Sequence, residues 1–194
     1  MDTKRAIIAR NQQLTSRQQE IVIGSLLGDG YLVATTRGFA FRVNHGIKQK
    51  DYVDWKYSEL EAFTNSQPRG HENSYYFRTV SHDFFGKLRQ IFYHGAQKVL
   101  PAHIDQWITP LAFSVWVMDD GARDKGQLRL NTQSFTKGEN EVLIRILKAK
   151  LGIAANLNRD KDRFRLRIKA VSMPRVRRIT VPYIIPSMQY KLSL

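Results

Sequence analysis

One short pattern occurs twice in this chain and limits what it can fold into. An apolar run ends abruptly in an acid followed by glycine, over residues 23–31 and again over residues 114–121. Residue types that are typical of helix starts stand upstream of both runs, a Thr-Ser pair at position 15 and a Thr-Pro pair at position 109. We therefore predict two buried helices, each carrying one carboxylate out at its C-terminal end.

Local signals indicate how these two helices begin and end. At the first start, Ser16 and Gln19 have the spacing of a capping box. Gly30 and Gly121 stand where a left-handed residue would end each helix. Both runs are therefore expected to stop at their glycine.

The acids at the two helix ends are Asp29 and Asp120. An acid at a helix C-terminus is disfavoured by up to ~1 kcal/mol, because that end already carries partial negative charge. One such acid is ordinary, but two in matching contexts, 120 − 29 = 91 positions apart, indicate a site that collects cations. The alternative is a pair of helix-to-turn junctions whose acids are simply solvated.

Matching residues at similar offsets make the two halves an internal repeat. Arg42-Val43-Asn44 has its counterpart in residues 129–131, and Lys98 has its counterpart in Lys191, at an offset of 191 − 98 = 93. Each half is predicted to run helix, two strands, helix, two strands, helix. We expect an α+β fold in two pseudo-symmetric halves, residues 1–100 and 101–194.

Hydrophobic periodicity places the remaining elements. The predicted strands are residues 31–36, 39–45, 74–80, 127–134, 154–159 and 163–169. The predicted helices are residues 50–63, 83–93, 137–151 and 172–180, and residues 94–101 are expected to form a loop that carries Lys98. The expected inner faces are Phe84, Leu88 and Ile91 in the helix at 83–93, and Val142, Ile146 and Leu147 in the helix at 137–151.

The net charge of +14 is the strongest global signal and indicates a polyanionic partner, most commonly a nucleic acid. The chain has no cysteine, which excludes disulfides, thiolate zinc sites and cysteine nucleophiles. No apolar run is long enough to span a membrane. The histidines have no paired metal spacing and are expected at the surface or in loops: His45, His71, His82, His94 and His103.

The predicted strands explain where the positive charge could act. Their outward positions carry residues suited to a DNA groove, because Arg reads guanine, Asn and Gln read adenine, and Lys holds phosphate. The candidate DNA-binding residues are Arg42, Asn44, Lys48, Arg78, Gln127, Arg129, Asn131, Gln133, Arg163, Arg165, Arg167 and Lys169. The alternative to DNA binding is that these residues form only the solvent-exposed face of an amphipathic sheet. In the set at 163–169 that alternative is weaker, because like charges on one strand face repel without a polyanion.

The small residues Gly24, Ser25 and Ser114 would let the two motif helices approach closely, so that Asp29 and Asp120 emerge side by side. Two neighbouring carboxylates repel unless a divalent ion lies between them. Oxygen ligands suit Mg²⁺, which binds one or two carboxylates together with substrate phosphates. Two such ions could stabilise the attacking and leaving oxygens of a phosphodiester displacement.

These residues resemble the LAGLIDADG homing endonucleases of the monomeric, two-motif kind, and the omega-intron type within them. Residues 24–30 and 114–121 correspond to the two signature helices, and the likeness continues through residues 130–136 and 185–192. It covers nearly the whole chain. The first motif departs from the family pattern at most letters but keeps its acid and its small residues.

The resemblance implies a saddle of two αββαββα halves over double-stranded DNA, with the motif helices packed at the interface and both strands cut with Mg²⁺, or Mn²⁺ in its place. It implies that Asp29 and Asp120 are catalytic metal ligands. Lys98 and Lys191 would be catalytic residues near the scissile phosphates, and Gly28 and Asp119 would offer backbone carbonyls to the metal. A monomer is expected, since one chain holds both motifs.

Two functions from different classes remain open. The first is a site-specific double-strand endonuclease. The second is a non-cleaving nucleic-acid binder on the same scaffold, either an intron-splicing maturase or a transcription regulator. The presence of both acids and both lysines favours the endonuclease. The N-terminus lacks a transit peptide, so we expect expression within a mitochondrion or chloroplast, or in a bacterial cytoplasm.

Overall fold

Two groups of elements follow one another with the same order of helices and strands. The structure, a computed structural model, describes residues 3–192. The first half comprises α1 (Lys4–Asn11), α2 (Ser16–Leu27), β1 (Tyr31–Thr35), β2 (Gly38–Gly46), α3 (Lys50–Leu60), β3 (Arg69–His71), β4 (Ser74–Arg78), α4 (Asp83–Phe92), β5 (Tyr93–His94) and β6 (Gln97–Lys98). The second half comprises α5 (Pro110–Asp120), β7 (Gly121–Asp124), β8 (Gln127–Leu130), α6 (Lys137–Leu151), β9 (Ala155–Asp160), β10 (Arg163–Ile168), α7 (Met173–Thr180) and a 3-10 turn (Pro186–Lys191). The predicted αββαββα order is confirmed from α2 to α4 and from α5 to α7.

Each half builds a four-stranded antiparallel sheet, and the two sheets have the same topology, β1-β2-β4-β3 and β7-β8-β10-β9. Strand alternation decides which face is covered. In β2, Phe41 and Val43 are buried under α3 and α4, and in β10, Leu166 and Ile168 are buried under α6. The opposite face of each sheet carries the polar residues of the same strands.

The motif helices α2 and α5 pack along each other more extensively than any other two helices of the described chain. A Cβ atom on Gly24 would lie only 2.3 Å from the carbonyl oxygen of Ala112, so glycine is what allows the two backbones to approach. Ser25 and Ser114 are fully buried in the same region. The expected contact through small residues is therefore present.

The ends of the motif helices differ from the prediction in two details. The capping box at the start of α2 uses Thr15 and Gln18, one residue earlier than expected. Gly30 and Gly121 do not adopt a left-handed backbone. A Cβ on Gly30 would lie 2.8 Å from Cβ of Ser25, and one on Gly121 would lie 2.4 Å from the Val117 carbonyl oxygen. These glycines are needed for space rather than for a positive φ.

The buried faces of two other helices were predicted only in part: Leu88 and Leu147 are confirmed as buried, and the other predicted positions are not fully buried. In α4 the buried residues are Phe85, Leu88 and Phe92, while Ile91 is 40% exposed. In α6 they are Asn140, Leu143, Leu147 and Leu151. Both helices have apolar residues at adjacent positions, so more than one stripe fits the helical period and only packing against the sheet selects between them.

Four short elements were not predicted, because short segments lack periodicity. They are α1, the edge strands β3 and β7, and the β5–β6 hairpin, which pairs Tyr93 with Lys98 near the start of the expected loop. In the other direction, the predicted strand at 127–134 ends at Leu130, where Thr132 and Asn140 hydrogen-bond to each other and hold a turn. No helix within residues 3–192 is long and apolar enough to cross a membrane.

Candidate active site

The two motif acids lie at the C-terminal ends of α2 and α5, as predicted. Asp29 follows the C-cap residue Gly28 and keeps 51% of its side chain exposed, whereas Asp120 is the last residue of α5 and is only 8% exposed. Burial first, and then the charges of Asp29 and Asp119, raise the pKa of Asp120 to about 8. The pKa of Asp29 is also raised, by partial burial first and then by Asp119. The ionised acids therefore disfavour each other unless a cation is present.

Two lysines meet the same helix ends in matching fashion. The Lys98 ammonium in β6 donates hydrogen bonds to the carbonyl oxygens of Gly28, at 2.9 Å, and Gly30, at 3.0 Å. Lys191 ends the C-terminal 3-10 turn and donates to the carbonyl oxygen of Asp119, at 3.1 Å. Burial lowers the pKa of Lys98, and the neighbouring acids partly oppose this effect. The structure thus brings both predicted lysines to the two motif ends.

The side chain of Asp119 has surroundings that the sequence did not reveal. Its carboxylate points into the interior and contacts the Lys56 ammonium, with 2.7 Å between Oδ1 and Nζ and both side chains fully buried. Lys56 lies in α3, on the same helical stripe as the buried Val53 and Leu60. A lysine among buried apolar positions was the one available signal, because such a position requires a charged partner.

His45 was expected at the surface but is buried beside the site. Its ring nitrogens lie 3.7 Å from Oδ2 of Asp29 and 3.6 Å from Oδ1 of Asp119. Burial lowers the pKa of His45 to about 4, and the nearby Lys56 charge acts in the same direction. His45 is therefore neutral at neutral pH and does not form ion pairs with these acids. His82 is buried as well but lies in the loop before α4, so the expectation of a surface or loop position failed for His45 alone.

The donor set at the motif ends suits a hard divalent cation. Within residues 3–192 no three His, Cys, Asp or Glu side chains are grouped as a protein-only metal cage. Two carboxylates, Asp29 and Asp120, instead meet the need of Mg²⁺, which retains waters and takes substrate phosphate oxygens. The carbonyl oxygens of Gly28 and Asp119 are nearby but already accept hydrogen bonds from the lysines. A cation that used them would share them with an ammonium group.

The outward face of the first sheet is basic and aromatic. Arg42 and Asn44 lie on the side opposite Phe41 and Val43, and Arg42 is paired in register with Arg78 on β4. The Arg42 guanidinium stacks over the Tyr76 ring, 4.6 Å from its centroid. Lys48 is exposed in the turn that follows β2.

The outward face of the second sheet contains acids among its arginines. Arg167 contacts Asp124, with 2.7 Å between Nη2 and Oδ2, and Arg165 contacts Asp160 at 3.3 Å. The expectation of an unbalanced row of like charges is therefore wrong, because the sheet register places these carboxylates beside the row. Arg129 lies 3.9 Å from the same Asp124 carboxylate.

The remaining candidates of the second half lie around this face. Gln127 begins β8 and is partly exposed, and Arg163 is exposed at the start of β10. Three candidates lie beyond the strand ends: Asn131 and Lys169 are exposed, and the Gln133 amide donates to Oδ2 of Asp160 at 2.8 Å. The structure thus brings most of the predicted set to two sheet faces and places the rest at their margins.

Known proteins of similar sequence include a DNA endonuclease family and its relatives. A sequence profile of the LAGLIDADG DNA endonuclease family matches residues 19–176. The chain is 28% identical to the cytochrome b mRNA maturase bI2 of Debaryomyces hansenii over 96% of this chain and 78% of that protein. It is 28% identical to the probable intron-encoded endonuclease 1 of Wickerhamomyces canadensis over 92% of this chain and 85% of that protein. It is also 29% identical to the protein RecA of Mycolicibacterium chitae, of which it spans 49%.

Solved structures show a similar fold. The homing endonuclease I-WcaI bound to its DNA recognition sequence superposes with a TM-score of 0.89 and 26% identity, covering 98% of this chain and 93% of the other. I-DmoI in complex with DNA and Mn has a TM-score of 0.55 and 16% identity, covering 88% of this chain and 99% of the other. The second likeness shows the fold alone.

Proposed function

Since the chain belongs to the LAGLIDADG DNA endonuclease family, we propose that it is a site-specific homing endonuclease that hydrolyses both strands of double-stranded DNA. The observation that carries this proposal is the arrangement at the two motif ends. Each end presents one carboxylate, Asp29 or Asp120, and one lysine ammonium that is hydrogen-bonded to a carbonyl oxygen of the same helix end. A protein that only binds nucleic acid has no use for acids held together in this way.

In the proposed reaction Asp29 and Asp120 hold divalent metal, with the carbonyls of Gly28 and Asp119 as further oxygen donors. When bound, Mg²⁺ would polarise the scissile phosphates and stabilise charge on the attacking and leaving oxygens. Mn²⁺ would substitute, since it accepts the same oxygen ligands.

Lys98 and Lys191 have a separate role, because each brings one cation next to the place where phosphate charge develops. Their hydrogen bonds to helix-end carbonyls fix where the ammonium groups lie before DNA binds. A preoriented cation of this kind stabilises the transition state without reorganising. We therefore assign both lysines to the chemical step rather than to DNA binding.

The two sheet faces form the proposed DNA interface, with the halves divided near residue 100. The residues that we assign to DNA contact on the first face are Arg42, Asn44, Lys48 and Arg78. On the second face they are Gln127, Arg129, Asn131, Gln133, Arg163, Arg165, Arg167 and Lys169. Because one chain supplies both motifs and both faces, we propose that a monomer binds one duplex.

A second candidate function is intron splicing, since relatives in Debaryomyces hansenii and Saccharomyces cerevisiae are cytochrome b mRNA maturases. Such a protein would bind structured RNA on the same scaffold and would have no need to cut DNA. A mitochondrion or chloroplast, or a bacterial cytoplasm, is the proposed location in either case.

The deciding experiment first selects the target and then tests cleavage. Duplexes are selected from a random pool by binding to the protein with Ca²⁺, and the enriched duplex is then incubated with Mg²⁺. We expect both strands to be cut at fixed positions, and no cleavage by a variant with both Asp29→Asn and Asp120→Asn. If the enriched duplex stays intact with Mg²⁺ and with Mn²⁺, the endonuclease proposal is rejected and a non-cleaving nucleic-acid binder remains.

A further inference from the structure

A buried ion pair ties α3 of the first half to α5 of the second half. The Lys56 ammonium and the Asp119 carboxylate are 2.7 Å apart, and both side chains are fully shielded from solvent. Replacing such a pair with apolar residues of similar volume often leaves the stability of a protein unchanged or increases it, because burying the pair requires the desolvation of two charges. A charged pair in this position therefore calls for a reason beyond stability.

The pair is part of a contact that holds the last turn of α5. The Lys56 ammonium lies 4.3 Å from the centroid of the Tyr52 ring, a favourable cation–π distance. The Tyr52 hydroxyl donates to the carbonyl oxygen of Val115 at 3.2 Å. Val115 and Asp119 are one turn apart on α5, so α3 holds this helix at two successive turns. Asp120 is the next residue.

The arrangement also supports the first motif. Gly28 is the counterpart of Asp119, at an offset of 119 − 28 = 91, and a Cβ on Gly28 would lie 2.5 Å from Cβ of Asp119. The Asp119 side chain thus fills the space beside the first helix end. His45 lies between the Asp119 carboxylate and the Asp29 carboxylate. One lysine therefore supports the backbone under both motif ends.

We propose that Lys56 is a positioning residue for DNA cleavage. Through its bond to the Asp119 carboxylate it fixes the C-terminal turn of α5, and so sets where Asp120 and the Asp119 carbonyl that holds Lys191 lie relative to the scissile phosphate. This inference rests on the proposed endonuclease function. Lys56 is fully buried and does not reach DNA, but in this proposal the positions of Asp120 and of the Asp119 carbonyl depend on it.

The test separates positioning from folding by neutralising the pair as a whole. Lys56→Met alone leaves Asp119 buried and unpaired, so it is expected to destabilise the protein strongly. Lys56→Met with Asp119→Asn removes both charges and keeps the Asp119 backbone carbonyl. We expect the double variant to regain most of the stability to urea and to bind the selected duplex in Ca²⁺ within about threefold of wild type.

Cleavage of the double variant should nevertheless fall about 10²-fold in single turnover, since a displacement of about 1 Å at a reacting group has that effect. The fall should be unequal between the two strands, because only one motif helix is held directly. Lys50→Met is the matched control, since its ion pair with Asp54 lies exposed on the same helix, and it should cleave at the wild-type rate.

A double variant that folds, binds and cleaves both strands like wild type would overturn the proposal. A double variant that stays as unstable as Lys56→Met would also overturn it, because the charges would then not be a separable pair. If wild type itself cuts no selected duplex, the proposed function fails instead, and the two failures are thereby distinguished.

Discussion

The two halves carry the same motif, but their acids are not equivalent. In the first half α2 ends at Leu27 and leaves Asp29 half exposed after a glycine. In the second half α5 continues through Asp120, which is 8% exposed and is preceded by a buried, paired aspartate. A repeated sequence can therefore place two chemically identical groups in different electrostatic surroundings.

The two sheet faces differ in the same manner. Arg42 in the first half stacks on an aromatic ring, whereas Arg165 and Arg167 in the second half are held by aspartates of their own sheet. An arginine held by an acid has less net charge to offer a phosphate but a better defined direction. The comparison predicts that the first face contributes more to general affinity and the second more to sequence discrimination.

The largest expected effect tests whether the unequal acids are both essential. Asp29→Asn and Asp120→Asn should each abolish double-strand cleavage, because each removes a proposed metal ligand. DNA binding should stay within roughly tenfold of wild type, about 1.4 kcal/mol. Cleavage of the selected duplex and affinity in Ca²⁺ measure the two quantities. Full activity in either variant would show that its acid is not part of the site.

Smaller losses are expected for the lysines. Lys98→Ala and Lys191→Ala should each slow single-turnover cleavage about 10²-fold, the usual cost of removing one preoriented electrostatic group. Affinity should change little. If instead either change weakened binding by several kcal/mol and left the cleavage rate intact, that lysine would be a phosphate clamp.

Stability against pH tests the electrostatic difference directly. The folded-state pKa of Asp120 is raised from 3.8 to about 8, so the folded protein binds the extra proton between these values and loses stability as pH rises through this window. Without metal, Asp120→Asn should therefore be more stable than wild type at high pH, by up to a few kcal/mol at about 1.4 kcal/mol per pKa unit.

The free energy of unfolding is measured with urea in EDTA at pH 5 and pH 9. The extra stability of Asp120→Asn over wild type should be smaller at pH 5 than at pH 9. Asp29→Asn is the companion variant, and because Asp29 is more exposed its advantage should be smaller. A difference between variant and wild type that does not change with pH would contradict the assigned environment of Asp120.

The smallest effects separate the two sheet faces. Each phosphate contact contributes about −0.9 to the slope of log K against log salt, so Arg42→Ala should flatten that slope by ~1 and weaken all sequences alike. Arg165→Ala or Arg167→Ala should cost ~1–3 kcal/mol on the selected duplex and little on a scrambled one. Affinities at several salt concentrations decide this. Equal behaviour of the arginines on both faces would remove the distinction.

Much of the fold and of the proposed site was determined by the sequence alone. The apolar runs ending in Asp29 and Asp120, the matched Lys98 and Lys191, and the alternation in β2 and β10 are local patterns. Each of these patterns could be recognised in the sequence because a helix or strand imposes its period on neighbouring residues. The resemblance to the family rested on the same segments, and the family match confirms it.

Only the tertiary structure decided which of these groups are buried and what they meet. Lys56 and Asp119 are 63 positions apart in the chain, and no periodicity connects them. The same holds for Arg167 and Asp124, which are 167 − 124 = 43 positions apart, and for the helix faces of α4 and α6. Burial and pKa depend on whatever atoms surround a group in space. The surroundings of a group are set only when distant segments pack, which is why the acids of two matching motifs differ in burial and pKa here.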